Sequence, residues 1–198
     1  MVDIIKYGNF KTKNVSDLKK QIILMHSGRN SEEYITSLKY RHNGSYNKIP
    51  NYFIDREGKI VKLLDDNEYS KFFFKNDINK NAIFVCLENL GWLEKQPLKN
   101  GYINWIGTIY NSNVFQRRWR DYYYWHPYTE EQLKSTSELC LKLCDDNKIK
   151  IEALEHNTKI NGIENFEGIV TKSNYLSEIT DLSPAFNFGL FSKFLKNE

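Results

Sequence analysis

The chain has 198 residues, a formal net charge of +3, 40% hydrophobic and 27% charged residues, which bounds it to one sizeable globular domain spanning 1–198. So mild a charge does not mark a nucleic-acid binder, and no stretch approaches the roughly 20 apolar residues that span a bilayer. The opening MVDIIKYGNFKTKN lacks the apolar core of a signal peptide, so the expectation is synthesis as a soluble cytoplasmic chain.

The first confident strand is residues 22–26, IILMH, an apolar run that ends in His26. NSEEYITSLKYRH (30–42) then begins as a helix does, with Asn30 or Ser31 as cap and Glu32 and Glu33 in the first turn. NYFIDREGKIVKLL (51–64) reads as a hairpin turning through Asp55–Gly58. AIFVCL, within 79–89, has the continuous apolar character of a buried strand and leads into Glu88. Residues 90–128 hold all four tryptophans and the basic run RRWR without a clean period. They read as an insertion of short strands and loops lining one side of a cleft, or as an aromatic mini-core. The best helix is 129–149, with Thr129 as cap, Gln132 in capping-box register and an apolar stripe at 133, 139, 140, 143 and 144. Cys140 and Cys144 share that stripe and, with Cys86, are too few for a disulfide framework. KIEALEH (150–156) reads as a short strand ending in His156, and 157–188 as loop, before a terminal helix at 189–196. Strands interleaved with helices predict an α/β fold, a central mixed sheet flanked by helices.

Two strands that each finish in histidine pose a chemical question. A lone strand-end histidine is most often structural. If the sheet sets 22–26 beside 151–156, however, His26 and His156 emerge at one edge, where two imidazoles suit zinc, with nitrogen ligands at about 2.0–2.1 Å. Asp181, in the proline-stiffened loop TDLSP, is the leading third ligand. Such a set leaves a fourth position for water, as catalytic rather than structural sites do. His42 and His126 read as surface and structural residues, and either could compete for the metal if the third ligand lies elsewhere.

The order of these motifs resembles the N-acetylmuramoyl-L-alanine amidases of the type-2 amidase and peptidoglycan-recognition-protein superfamily, above all the lytic enzymes of bacteriophages. IILMHSG is similar to the family's first strand. PNYFIDREGKIVKLL resembles its hairpin, NKNAIFVCLEN its acidic strand and YTEEQLKSTSEL its Thr-x-x-Gln helix. LEHNTK resembles the segment carrying the second histidine, and TDLSPAF the loop with the third ligand. The matches run from about 20 to 194.

The resemblance implies zinc on His26, His156 and Asp181 at one sheet edge, with Glu88 as the acid/base group beside a metal-bound water. It implies hydrolysis of the amide between N-acetylmuramic acid and L-alanine. Ile179 stands where many relatives carry a lysine, and Lys172 is the candidate to supply that charge from another loop. Pro50 occupies the hairpin position of a tyrosine found in some relatives, which leaves Tyr52, with Asn89, as a candidate substrate contact. Trp119 and Arg120 are candidates to grip sugar and stem-peptide carboxylate. The implied partner is bacterial peptidoglycan, met by a monomer without nucleic acid or membrane. The implied place of action is the cell wall, reached by phage release or on a virion. The rival reading is a wall-binding module of the same fold that cleaves nothing.

Overall fold

A computed structural model of the chain describes residues 4–6, 10, 12, 14–97 and 101–197. The N-terminal stretch read for a signal peptide lies partly outside them, as do residues 98–100 of the aromatic segment. Strands β1 (Ile4–Lys6) and β2 (Gln21–His26) are followed by helix α1 (Ser31–Tyr40), the hairpin β3 (Tyr52–Ile54) and β4 (Ile60–Lys62), the short α2 (Asn76–Lys80) and β5 (Ala82–Leu87). These strands, with β11 (Gly168–Thr171), make a six-stranded sheet in the order β1-β4-β3-β5-β2-β11. Every neighbouring pair is parallel except β3–β4. The sheet is therefore mixed, as expected.

The central strands are buried on both faces, which explains their uninterrupted apolar runs. On β5, Ile83, Val85 and Leu87 face one core, and Phe84 and Cys86 face the other. The first core is closed by α3 (Glu130–Asn147) and α5 (Phe188–Lys196). The second is closed by α1 through Tyr34 and Leu38, together with Phe72 and Phe73. Local chemistry sets the helix starts where the sequence places them. The Asn30 side chain accepts from the Glu33 N–H, and the Thr129 hydroxyl accepts from the Gln132 N–H, satisfying N-terminal donors that no helical carbonyl reaches. Gly58 takes the turn between β3 and β4 with φ +81°.

The aromatic stretch, read as short strands and loops lining a cleft or as a mini-core, forms an antiparallel sheet of short strands: β6 (Trp92–Lys95), β7 (Tyr102–Ile103), β8 (Ile109–Tyr110), β9 (Phe115–Trp119) and β10 (Tyr122–Trp125), in the order β8-β7-β6-β10-β9. Its periodicity is hidden because aromatic side chains occupy both faces. Residues 150–156 form no strand. They touch the main sheet through a single bridge, Ala153 to Ile169, and the place beside β2 goes to β11, within the segment read as loop. Four residues, GIVT, are too few to show a period, and their pairing partner lies far away in sequence. Helix α4 (Lys172–Tyr175) follows β11 directly.

Candidate active site

Parallel strands bring their C-terminal ends to one edge, and two of them define the site. β11 pairs with β2 up to Thr171 beside Leu24, so the next residue, Lys172, leaves the sheet at the level of Met25, the residue before His26. From the loop after α4, Asp181 reaches between Lys172 and His26. His26 Nε2 lies 3.2 Å from Asp181 Oδ1, and Lys172 Nζ lies 3.2 Å from Asp181 Oδ2. All three side chains are largely withdrawn from solvent, at 6%, 13% and 18% exposure for His26, Asp181 and Lys172.

The charges follow from this geometry. Burial favours the neutral form of His26 and lowers its pKa, with Lys172 adding to the effect against the pull of Asp181. Burial works against the Asp181 carboxylate too, but Lys172 and then His26 outweigh it and hold the pKa below the usual range. Burial likewise opposes the Lys172 ammonium, and Asp181 overcomes it, so the lysine stays charged. A neutral imidazole has one donor and one acceptor. With Asp181 ionised, Nε2–H donates to it, and Nδ1 accepts from the Tyr128 hydroxyl at 3.1 Å.

Above this centre opens a cavity of about 300 Å³. Arg29, Arg41 and Lys172 bring positive charge to its lining, Trp92, Trp105, Tyr34 and Tyr46 bring aromatic faces, and Asp181 is the acidic residue among them. Two glycines let the walls approach. Gly28 has φ +65°, and a Cβ there would meet Trp105 Nε1 at 2.8 Å; Gly91 has φ +79°, and its Cβ would meet His26 Nε2 at 3.0 Å. The second sheet braces the rim, since Asn104 and the Trp105 indole both donate to the Gly28 carbonyl at 3.0 Å. The Arg29 guanidinium lies 4.9 Å from the Trp105 ring centre.

The residues expected from sequence divide sharply. His26, Asp181 and Lys172 come together. His156 does not: it is exposed, its Nδ1 accepts from the Thr158 N–H at 3.2 Å, and its loop is tied toward the centre through the Asn157 side-chain amide donating to the Leu182 carbonyl. Glu88 is 9% exposed and accepts from the Ser31 hydroxyl at the first turn of α1, outside the cavity lining. Asn89 is fully buried, donates to the His126 carbonyl and accepts from the Gly91 N–H, so it shapes the turn that carries Gly91. Tyr52 is buried on the α3 side with its hydroxyl on Asp66. Trp119 and Arg120 stand at the end of β9; the Arg120 guanidinium lies 4.2 Å from the Trp119 ring centre and donates to the Leu176 carbonyl. His42 is exposed and His126 buried, the surface and structural roles expected. Sequence reasoning passed over Arg29 and Arg41, which carry no motif and join the cavity only through the fold, whereas Trp105 falls within the aromatic segment read as one side of a cleft.

The profile of the N-acetylmuramoyl-L-alanine amidase family matches residues 16–168. The chain belongs to that family. It is by that membership a hydrolase of the amidase class. Solved structures share the fold at low identity. The N-acetylmuramoyl-L-alanine amidase LysC from Clostridium intestinale URNW has a TM-score of 0.58 at 12% identity, covering 99% of each chain. AmiD from E. coli, solved with anhydro-N-acetylmuramic acid-L-Ala-D-gamma-Glu-L-Lys, has a TM-score of 0.57 at 12% identity, over 94% of this chain and 60% of that one. The Drosophila peptidoglycan recognition protein SD has a TM-score of 0.51 at 9% identity, over 94% and 92%. No curated protein matches the chain in sequence.

The zinc ion that the resemblance implies can be tested against these side chains, and they do not fit it. Among the described residues no three of His, Cys, Asp and Glu gather as a metal-ligating group. Both nitrogens of His26 already have protein partners, and the second carboxylate oxygen of Asp181 is held by an ammonium. An ammonium has no lone pair to offer a metal.

Proposed function

We propose that this amidase-family chain acts on bacterial peptidoglycan, cleaving the amide between N-acetylmuramic acid and L-alanine at the cavity beside His26. The lining carries this reading: Arg29, Arg41 and Lys172 converge with Trp92 and Trp105 on one buried histidine–aspartate pair. A muropeptide offers the matching chemistry, carboxylates for the cations and sugar C–H faces for the indoles. The Lys172 ammonium, fixed by Asp181, is the positive charge against which a developing oxyanion would be stabilised. Glu88 is the proposed acceptor of the attacking water's proton, as the family resemblance assigns it. In the proposed setting the protein acts as a monomer at the cell wall, as an endolysin or virion-borne wall opener.

The assay is release of new L-alanine amino groups from purified peptidoglycan, with the glycan chains remaining intact. Glu88→Gln preserves shape and removes the base; the expected loss is on the order of 10²–10⁴-fold in rate, with wall binding retained. Wild-type rate in that variant would take the proton-transfer role away from Glu88. A second reading, recognition of the wall without cleavage, is favoured by one observation: neither nitrogen of His26 has a free lone pair. Wall pull-down by the wild type without any amine release would establish it instead.

A further inference from the structure

We infer that Lys172 is the resident cation of this centre and stands in the place of the divalent metal, so that the site is assembled and holds its anionic occupant without zinc. The inference concerns what holds the centre together and does not require that the bound amide be cleaved.

Three observations carry it. The first is position. β11 is the direct parallel neighbour of β2, and it ends with Thr171 beside Leu24, so that Lys172 emerges at the sheet edge at the level of Met25, next to His26. A residue there shares the edge with the strand-end histidine, and the chain has placed an ammonium where a second imidazole would complete a metal site. The second is bonding. Asp181 spends one oxygen on His26 and the other on Lys172, each at 3.2 Å, so the carboxylate bridges imidazole and ammonium and its charge is already matched. A divalent ion at this point would meet a fixed positive charge about one side chain away, a strongly repulsive arrangement at low effective dielectric. The third is the remaining candidate ligand. His156 is exposed, and its Nδ1 faces the Thr158 N–H, while the neighbouring loop is tied by Asn174 donating to the His156 and Thr158 carbonyls at 3.0 and 2.8 Å. Bringing that ring to His26 requires breaking these ties.

The ammonium is also directed at the cavity. Lys172 lines it together with Arg29 and Arg41, so an anionic group entering there finds three cations, one of them pinned by a buried carboxylate. Such a site recognises a carboxylate by charge and hydrogen bonding, and its affinity does not depend on a chelatable ion.

The test uses the full chain, purified without chelator from zinc-supplemented cells. Metal analysis of the wild type is expected to show far less than one zinc per chain, and the thermal midpoint is expected to be indifferent to added zinc or to EDTA. About one zinc per chain, lost in His26→Ala, would overturn the inference whether or not the protein cleaves peptidoglycan. Lys172→His, which restores an imidazole at the strand end, is expected to take up zinc and to gain a zinc-dependent rise in thermal midpoint; a variant indifferent to zinc would show that Lys172 does not stand in the metal's place. Binding is read with an N-acetylmuramoyl dipeptide as probe, by titration calorimetry. Lys172→Met is expected to weaken it at least tenfold, and Lys172→Arg to keep much of it. Because Lys172→Met leaves Asp181 without its cation, the Lys172→Met/Asp181→Asn double variant, neutral at both positions, is run beside it. Wild-type affinity in a folded form of either would overturn the role of Lys172. Absence of amine release with these results intact would remove the cleavage reading and leave this one standing.

Discussion

At the scale of single residues, burial decides protonation, and His126 shows it most cleanly. It is 4% exposed, and its Nδ1 accepts from Arg56 Nη1 at 3.1 Å and from the Leu90 N–H at 3.4 Å. Burial, then the Arg56 charge and then His26 depress its pKa from 6.5 to about 3. The unfolded chain therefore binds a proton that the folded one refuses between these values. The stability contributed by neutral His126 is complete above pH 6.5 and is lost progressively as pH falls toward 3, with a slope of up to about 1.4 kcal/mol per pH unit. Urea unfolding of wild type and His126→Gln across pH 7 to 4 checks this. The difference between the two is expected to shrink or reverse on acidification, and a constant difference would mean that His126 titrates normally.

At the scale of elements, α3 is tied to the sheet by a residue that the sequence assigns to a cap. Thr129 caps as expected, but Gln132 does not complete the reciprocal box. Its amide donates instead to the Glu88 carbonyl at 2.8 Å and to the Ile54 carbonyl at 3.3 Å, joining the ends of β5 and β3 beneath the site. Gln132 is fully buried, so truncation takes the side-chain donor from the Glu88 carbonyl, while the Ile54 carbonyl keeps the Glu88 N–H at 2.8 Å. Gln132→Ala is expected to cost about 1–3 kcal/mol, against about 1 kcal/mol for Thr129→Ala. Chemical denaturation of the two variants gives the comparison. Equal losses would reduce Gln132 to an ordinary helix residue.

For the molecule as a whole, the second sheet is what turns a strand-end cluster into a walled cavity. Trp92 and Trp105 reach the lining from it, and Trp105 closes on Gly28 from the opposite side. Trp119 and Arg120 lie farther out, packed on Trp125 and bonded to Leu176, while the Arg120 charge still acts on Asp181. The buried Nη1 of Arg120 has no partner among the described residues. The Trp119→Ala/Arg120→Ala double variant is expected to lose wall pull-down severalfold with an unchanged circular dichroism spectrum. Unchanged pull-down would confine ligand contact to the inner wall of Trp92, Trp105, Arg29 and Arg41.

The parts whose causes are local could be read from the chain alone. The apolar runs of β2 and β5, the caps at Asn30 and Thr129 and the turn at Gly58 are each written in a few consecutive residues, and their order along the chain was sufficient to indicate the family. His26 and Asp181 were legible for the same reason, as chemistry-bearing residues at an apolar strand end and in a stiffened loop. Tertiary structure alone decided what lies beside them. Which strand pairs with β2 depends on residues about 145 positions away, and the four-residue β11 carries too short a pattern to compete on paper with KIEALEH. Once β11 takes that place, Lys172 rather than His156 shares the Asp181 carboxylate with His26, because the residue after β11 emerges at the same sheet edge as the end of β2. Arg29, Arg41 and the tryptophans converge through the packing of one sheet's rim on another, and no spacing in the sequence encodes that.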